Sequence, residues 1–581
     1  MSQIRHVEIK RFRGIAHAEW SPRPGINALI GAGDSGKSTV LDAIDLALSA
    51  RRTGSFTDAD FHKLDVSEPV DIRVTLGALP ASLQDIDSYA LFLRGWDDTL
   101  GILTDEPVTG SEAVLTVRLT ISGDLEPSWG LYSARAEAEA TVRDLPYAER
   151  SRLAPTRLGA YASHHFSWGA RSVLNRLSEE RANASQALAA AAREARANFG
   201  DTASEQVSET LIIVRDVARD AGVPGGEAAS ALLDAHGVSF SGGVIALHDE
   251  GGVPLRNLGI GSSRLLVASL QAKAGADTGV TLIDELEHGL EPFRIVRLLH
   301  TLGSKEADPD RQIFLTTHSP IAVRELAARQ LTRVQRSDDG RLSLTWIGAD
   351  ADDQATVRAC AEAFLAPSVI VCEGSTEIGL IRGLDLWWNA QGKDPIAYFG
   401  VAACDGGGGN MFARAGCFGR LRYRTALFRD ADVALTEEQT KALADAEVTE
   451  FTWAAGKSTE QAMFDALPDA ALGPLIQIAI DHVGSDSVYQ RVKSIDATVD
   501  SFDVQLENWT PVVRAAFGRA AGSGKWYKMV DPAERVGREV LGPHLAAAQP
   551  ELADVISAIR SWIEKGLGAP APASADEDLG L

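Results

Sequence analysis

The nine residues Gly31–Thr39, GAGDSGKST, constrain this chain more than any other segment. They fit the pattern G-x-x-x-x-G-K-[ST] through Gly31, Gly36, Lys37 and Ser38. Glycines at those positions let successive backbone N–H groups curl round phosphate oxygens. The lysine reaches the β- and γ-phosphates, and the serine hydroxyl ligates Mg²⁺. Gly33, Asp34, Ser35 and Thr39 complete the cradle. Before the loop comes INALI (Ile26–Ile30), a short apolar run that reads as a strand. After it comes TVLDAIDLAL (Thr39–Leu48), apolar at helical spacing. Strand, glycine-rich loop and helix are the arrangement in which a helix amino end faces a phosphate.

Two further segments extend the nucleotide reading. GVTLIDELEHGLEP (Gly279–Pro292) is an apolar strand ending in Asp284 and Glu285. Two adjacent carboxylates at the end of a buried strand are costly without a task. Asp284 is placed to hold the water shell of Mg²⁺, and Glu285 to polarise the attacking water. QIFLTTHSP (Gln312–Pro320) is another apolar strand, and His318 at its end is placed to touch the γ-phosphate.

The order of these motifs resembles the ABC-type ATPases of the RecF and SMC kind. IRHVEIKRFRGIAHAEW (Ile4–Trp20) looks like the opening strands of that family. There, a signature segment from one protomer caps ATP bound to the other. The match here is NLGIGSSRLLVASL (Asn257–Leu270), which makes Gly261 and Ser262 nucleotide contacts by resemblance. It departs from the usual L-S-G-G-Q form. Gly33 stands where an asparagine is common, and no residue of FTDADFHKLD (Phe56–Asp65) is identified as a Gln-loop.

A second α/β unit begins at Pro367. SVIVCEGSTEIGLIRGL (Ser368–Leu384) reads as strand, loop and helix, with Glu373 ending the strand and Glu377 in the first helical turn. AYFGVAACDGGGGN (Ala397–Asn410) runs into Asp405 and four glycines. RTALFRDADVA (Arg424–Ala434) ends in Asp430 and Asp432. Ligands collect at the carboxyl ends of parallel strands. Glu373, Asp405, Asp430 and Asp432 would therefore share one edge, and such a cluster calls for a divalent cation, Mg²⁺ or Mn²⁺. WAAGKSTEQAMF (Trp453–Phe464) offers Glu460 on a predicted helix. GSGKWYKMVDP (Gly522–Pro532) offers Lys525 and Lys528 as charge stabilisers for a phosphate.

A strand-end glutamate with glycine beside it, a glycine-rich acidic turn and D-x-D resemble the Toprim fold of topoisomerases, primases and some nucleases. The whole chain to about residue 540 resembles the OLD (overcoming lysogenization defect) family, and is similar to the nuclease subunit of Gabija anti-phage systems. That resemblance implies an α/β protein: an ABC-type ATPase with an inserted, largely helical dimerisation arm, then a Toprim domain. It implies an ATP-regulated, two-metal DNA endonuclease in anti-phage defence or DNA processing. The metal ligands would be Glu373, Glu377, Asp430, Asp432 and Glu460, and the catalytic lysine Lys528 or Lys525. As partners it implies DNA and a second copy of the chain in a homodimer or higher oligomer, and it leaves room for a UvrD-like helicase encoded nearby. The alternative is a RecF-like repair ATPase whose Toprim-like part is a docking module. Strand passage needs a tyrosine nucleophile in a gate domain; with eight tyrosines and no room for such a domain, that reading falls away.

The expected boundaries are 1–90 and 238–348 for the two ATPase halves, 91–237 for the insert with strands and the arm, 349–366 for a linker helix, 367–565 for the Toprim part and 566–581 for a disordered acidic tail. A net charge of −24 argues against nonspecific coating of nucleic acid but leaves a local basic groove open. Four cysteines without C-x-x-C spacing read as reduced thiols, and the absence of an 18-residue apolar run or a signal pattern reads as a soluble, cytoplasmic chain without membrane contact.

Overall fold

The computed structural model describes residues 2–50, 55–158, 207–220, 246–274, 279–307, 311–454, 456–497 and 509–566, with a few isolated positions between them. Thirteen strands form one mixed sheet: β1 (Gln3–Phe12), β2 (Ile15–Trp20), β3 (Gly25–Ile30), β4 (Val70–Gly77), β5 (Leu93–Asp97), β6 (Ile102–Thr104), β7 (Glu112–Ile121), β8 (Pro127–Tyr132), β9 (Thr156–Leu158), β10 (Val280–Ile283), β11 (Gln312–Thr316), β12 (Leu331–Arg336) and β13 (Arg341–Trp346). Their order is β6-β5-β7-β4-β1-β2-β13-β12-β3-β11-β10-β9, with β8 against β7. In β1 apolar Ile4, Val7, Ile9 and Phe12 are buried and most of their neighbours are half-covered, as expected where one face packs on a core. In β3 every residue is buried, because parallel strands β11 and β12 flank it and both faces are covered.

The strands between Leu93 and Tyr132 were expected in a separate insert. They extend the same sheet through the β4–β7 ladder, so strands on both sides of residue 90 share one sheet. The physical reason is edge pairing: β4 has open hydrogen-bonding groups on its outer side, and β7 is its antiparallel complement. The helical arm falls largely outside the described residues; within it Ser208–Asp220 is a helix. The acidic tail beyond residue 566 also lies outside them.

The chain then forms a helix at Ala351–Ala359 and a second, all-parallel sheet in the order β15-β14-β16-β17: β14 (Ser368–Cys372), β15 (Val401–Asp405), β16 (Arg424–Arg429) and β17 (Thr449–Thr452). One face of it packs on the helix Ser375–Ala390 and on the carboxyl-terminal helices through Leu380, Leu384, Phe428 and Val540. The other face continues into the core of the first module: Val369, Val371, Phe418 and Leu427 share a cluster with Leu331, Val357 and Phe364. Among the described residues no helix is long and apolar enough to cross a membrane.

Candidate functional site

The first site lies where β3, β10 and β11 end side by side. Gly31 has φ +138° and Gly36 φ +93°, left-handed conformations that favour glycine. At Gly31 a Cβ would also lie 2.6 Å from the Val334 carbonyl oxygen. Lys37 opens the helix Lys37–Ala47 and is buried. Its Nζ donates to the carbonyls of Gly31 (3.1 Å) and Ala32 (2.7 Å) and to Ser35 Oγ (3.2 Å). Burial lowers its pKa to about 8, against the opposing pull of Asp34, Glu287 and Asp284.

Asp284 Oδ1 accepts from Ser38 Oγ at 2.8 Å and from Thr316 Oγ1 at 2.6 Å. Its Oδ2 lies 3.8 Å from an Arg157 guanidinium that also pairs with Asp42 (2.6 Å) and Asp45 (3.2 Å) on the loop's helix. Arg264, fully buried, donates to the carbonyls of Asp284 (3.0 Å) and His288 (3.1 Å). Glu287 accepts from Thr317 Oγ1 (2.6 Å) and from the His318 amide (2.7 Å), tying the strand-end turns together. Burial, then the charge of Lys37, lowers the His318 pKa. The Glu285 carboxylate points to solvent, 3.5 Å from His288 Nδ1. Gly261 and Ser262 stand at the start of the helix Ile260–Ala274. A Cβ on Gly261 would meet the Gly289 carbonyl, and Ser262 Oγ accepts from Arg294 (2.9 Å). Gly33 and Thr39 take no further part in the described contacts. Sequence reading missed Thr316, Glu287 and Arg157; Thr316 is legible as the hydroxyl two places before His318.

The second site lies at the carboxyl ends of β14 and β16. Glu373 Oε2 accepts from the Asp430 amide at 2.9 Å. Asp430 Oδ1 accepts from the Thr459 amide (2.7 Å) and hydroxyl (2.6 Å). The same hydroxyl lies 2.8 Å from Glu377 Oε1 and accepts from Trp453 Nε1 at 2.7 Å. One hydroxyl hydrogen cannot serve two carboxylates. Burial, with Asp430 next, raises the Glu377 pKa to about 8. With a proton on Glu377, that carboxyl can donate to Thr459 while Thr459 donates to Asp430. Glu460 is almost wholly buried; its Oε2 accepts from Ser458 Oγ (2.9 Å), while Oε1 has no partner among the described residues.

Burial raises the pKa values of Glu373, Asp430 and Glu460 as well. Burial alone would lower that of Lys528, but Glu460, Asp430, Glu377 and Glu373 outweigh it and raise the value. Lys528 is thus the cation of the cluster. Lys525 ends the helix Pro511–Gly524 with φ +54° and faces solvent. Asp432 is exposed but within electrostatic reach of Glu373 and Asp430. Asp405 Oδ1 accepts from Gly407 N (2.7 Å) within its own glycine turn. Excess buried carboxylate and an orphaned Oε1 fit a divalent cation. Among the described residues, however, no three acidic, imidazole or thiol side chains already stand at ligand spacing, so a cation would have to draw them together. Thr459 is the residue sequence reading missed here.

A nucleotide-binding sheet with a phosphate loop, an Asp-Glu strand and a polar γ-phosphate edge defines an ATPase-type domain. Residues 26–324, more than half of the chain, match the family described as AAA domain, putative AbiEii toxin, Type IV TA system, and the chain belongs to that family. Similar solved structures include the Pyrococcus furiosus Smc head domain with an extended coiled coil bound to the C-terminal domain of ScpA (14% identity, 59% of this chain, 96% of that one, TM-score 0.32). The SMC head domain from Thermotoga maritima has 13% identity over 60% of this chain and 100% of that one, TM-score 0.30. An SmcHead bound to the C-winged helix domain of ScpA has 14% identity over 59% and 97%, TM-score 0.31. No curated protein matches.

Proposed function

We propose that the chain is an ATP-regulated, divalent-metal-dependent DNA endonuclease of the OLD kind, with a Toprim-type catalytic module. The observation that carries this reading is the buried Glu377, Asp430 and Glu460 with the half-buried Glu373, all within electrostatic reach of Lys528. Glu373, Asp430, Asp432 and Glu460 would hold Mg²⁺ or Mn²⁺. Such an ion lowers the pKa of a bound water and offsets charge on phosphoryl oxygens. The chain's own groups do the rest. Lys528 sets a positive charge beside the scissile phosphate. Thr459 fixes the orientation of Asp430 and lies within hydrogen-bond reach of Glu377, which would complete the ligand set.

In the first module, Lys37 and the loop amides would grip the triphosphate of ATP, Ser38 and Asp284 would hold Mg²⁺, and Glu285 and His318 would face the attacking water and the γ-phosphate. Gly261 and Ser262 would meet the nucleotide of a second copy, by resemblance to the signature segment of ABC-type ATPases. DNA, a homodimer or higher oligomer and a helicase partner belong to this reading. The lack of preset ligand spacing favours a second one, a RecF-like ATPase whose second module only docks. Incubating supercoiled plasmid with the full chain and Mg²⁺ or Mn²⁺ separates them. Nicked or linear product that disappears with EDTA supports the nuclease, and unchanged plasmid supports the docking module.

A further inference from the structure

At the opposite end of β16 from Asp430 lies a polar cavity of about 1020 Å³, lined by Arg420, Arg422, Arg424, Asp445, Glu447 and Trp562 among others. Six residues of strand at about 3.3 Å each put it about 20 Å from the carboxylate cluster. Its charges are mostly uncompensated. Arg420 pairs with Asp353, but among the described residues neither Arg422 nor Arg424 has an ion-pair partner, and Asp445 and Glu447 have none either. Arg424 is held by packing over the Trp562 ring, 3.7 Å from its centroid, and by donating to the Trp562 carbonyl.

Two of the lining residues are also in the wrong place for local stability. Arg422 follows the helix Met411–Arg420 and has φ +61°; Glu447 follows the helix Glu437–Asp445 and has φ +53°. Each occupies the left-handed position that ends a helix and usually holds glycine. The bonds of that turn are present in both: Tyr423 N to Phe418 O (2.9 Å) and Val448 N to Leu443 O (3.0 Å). A helix carboxyl end favours a cation, which would explain Arg422 alone. It disfavours the anion Glu447, so helix dipoles do not account for the pair. The two ends are packed together, since a Cβ on Gly419 would lie 2.3 Å from the Ala446 carbonyl. Arg422 and Glu447 thus present charge to one cavity from left-handed turn positions, with no ion-pair partner among the described residues.

We propose that this cavity binds a nucleoside phosphate, distinct from the nucleotide on the phosphate loop. Guanidinium groups suit the phosphates. Asp445 and Glu447 suit ribose hydroxyls and the N–H groups of a base, and would repel the continuous backbone of a nucleic-acid strand. The volume is ample for such a ligand.

The test uses the full chain carrying Lys37→Ala to silence the phosphate loop, dialysed in turn against labelled ATP, GTP, CTP and UTP. Expected is saturation at one nucleotide per chain for at least one of the four, displaced by pyrophosphate. Adding Arg422→Gly or Glu447→Gly should weaken it at least tenfold while Tm holds or rises, because glycine relieves the strained turn. No saturable binding of any of the four overturns the proposal, as does unchanged affinity in both glycine variants. Loss of binding together with a fall in Tm assigns these residues to the helix ends and also overturns it. So does displacement by a single-stranded oligonucleotide but not by pyrophosphate. The nuclease reading shares none of these residues and stands or falls separately.

Discussion

Thr459 and Asp430 are joined twice, amide and hydroxyl both donating to the same carboxylate oxygen at 2.7 and 2.6 Å. Thr459→Val removes the hydroxyl that links Asp430 to Glu377 and leaves both carboxyls short of a buried partner. The expected loss is about 1–3 kcal/mol of stability, with DNA cleavage reduced and ATP turnover retained; Thr459→Ser should restore cleavage. Denaturant melts beside plasmid and phosphate-release assays check it, and full cleavage by the valine variant would remove Thr459 from the site.

Replacing Asp430 and Asp432 together by alanine should abolish cleavage and spare ATP hydrolysis, since the two residues follow a different sheet from the phosphate loop. EDTA should act on cleavage in the same way. A double variant that still nicks plasmid would show that the carboxylate cluster is not catalytic.

Lys37→Ala should lower ATP turnover by about 10²-fold or more, because the β/γ-phosphates lose a fixed charge. Glu285→Gln should still bind ATP but turn it over slowly. Parental turnover in the glutamine variant would free Glu285 from that role, and its solvent-facing position would then be its resting place.

A fragment 367–581 should be less stable than 349–581. Phe364 is fully buried, its ring lies 4.7 Å from that of Phe418, and its carbonyl accepts from Tyr423 OH at 2.8 Å. Starting at 367 removes it, and deleting one buried phenylalanine side chain costs about 3–5 kcal/mol. Thermal melts of the two fragments decide the matter; equal Tm values would mean that the second module closes its own core.

The phosphate loop, the Asp284 strand and the His318 strand were legible because each is a short apolar run ending in polar residues, a pattern local enough to read by eye. Glu373, Asp430 and Glu460 were legible for the same reason, as polar ends of apolar runs or helix starts. Asp405 differs from them in bonding the Gly407 amide, since an aspartate followed by glycines can accept from the backbone two residues on. Arg157 and Glu287 were illegible. Each acts through partners far away in sequence, Arg157 through Asp42 and Asp45 and Glu287 through Thr317. Neither has a local signature. The sheet membership of β5 to β8 was hidden likewise, since pairing with β4 is a long-range event that their own alternation does not announce.

The apolar cluster that joins Leu331 and Val357 to Val369 and Leu427 also sets the unit of inheritance. A gene exchange with its crossover at residue 367 would bring together two half-interfaces shaped for different partners. A crossover ahead of Ala351 would still have to match Leu331 and Ala328 across the seam. A change on the Val369 or Leu427 face of the second module therefore needs a matching change at Leu331 or Val357 for the cluster to stay packed.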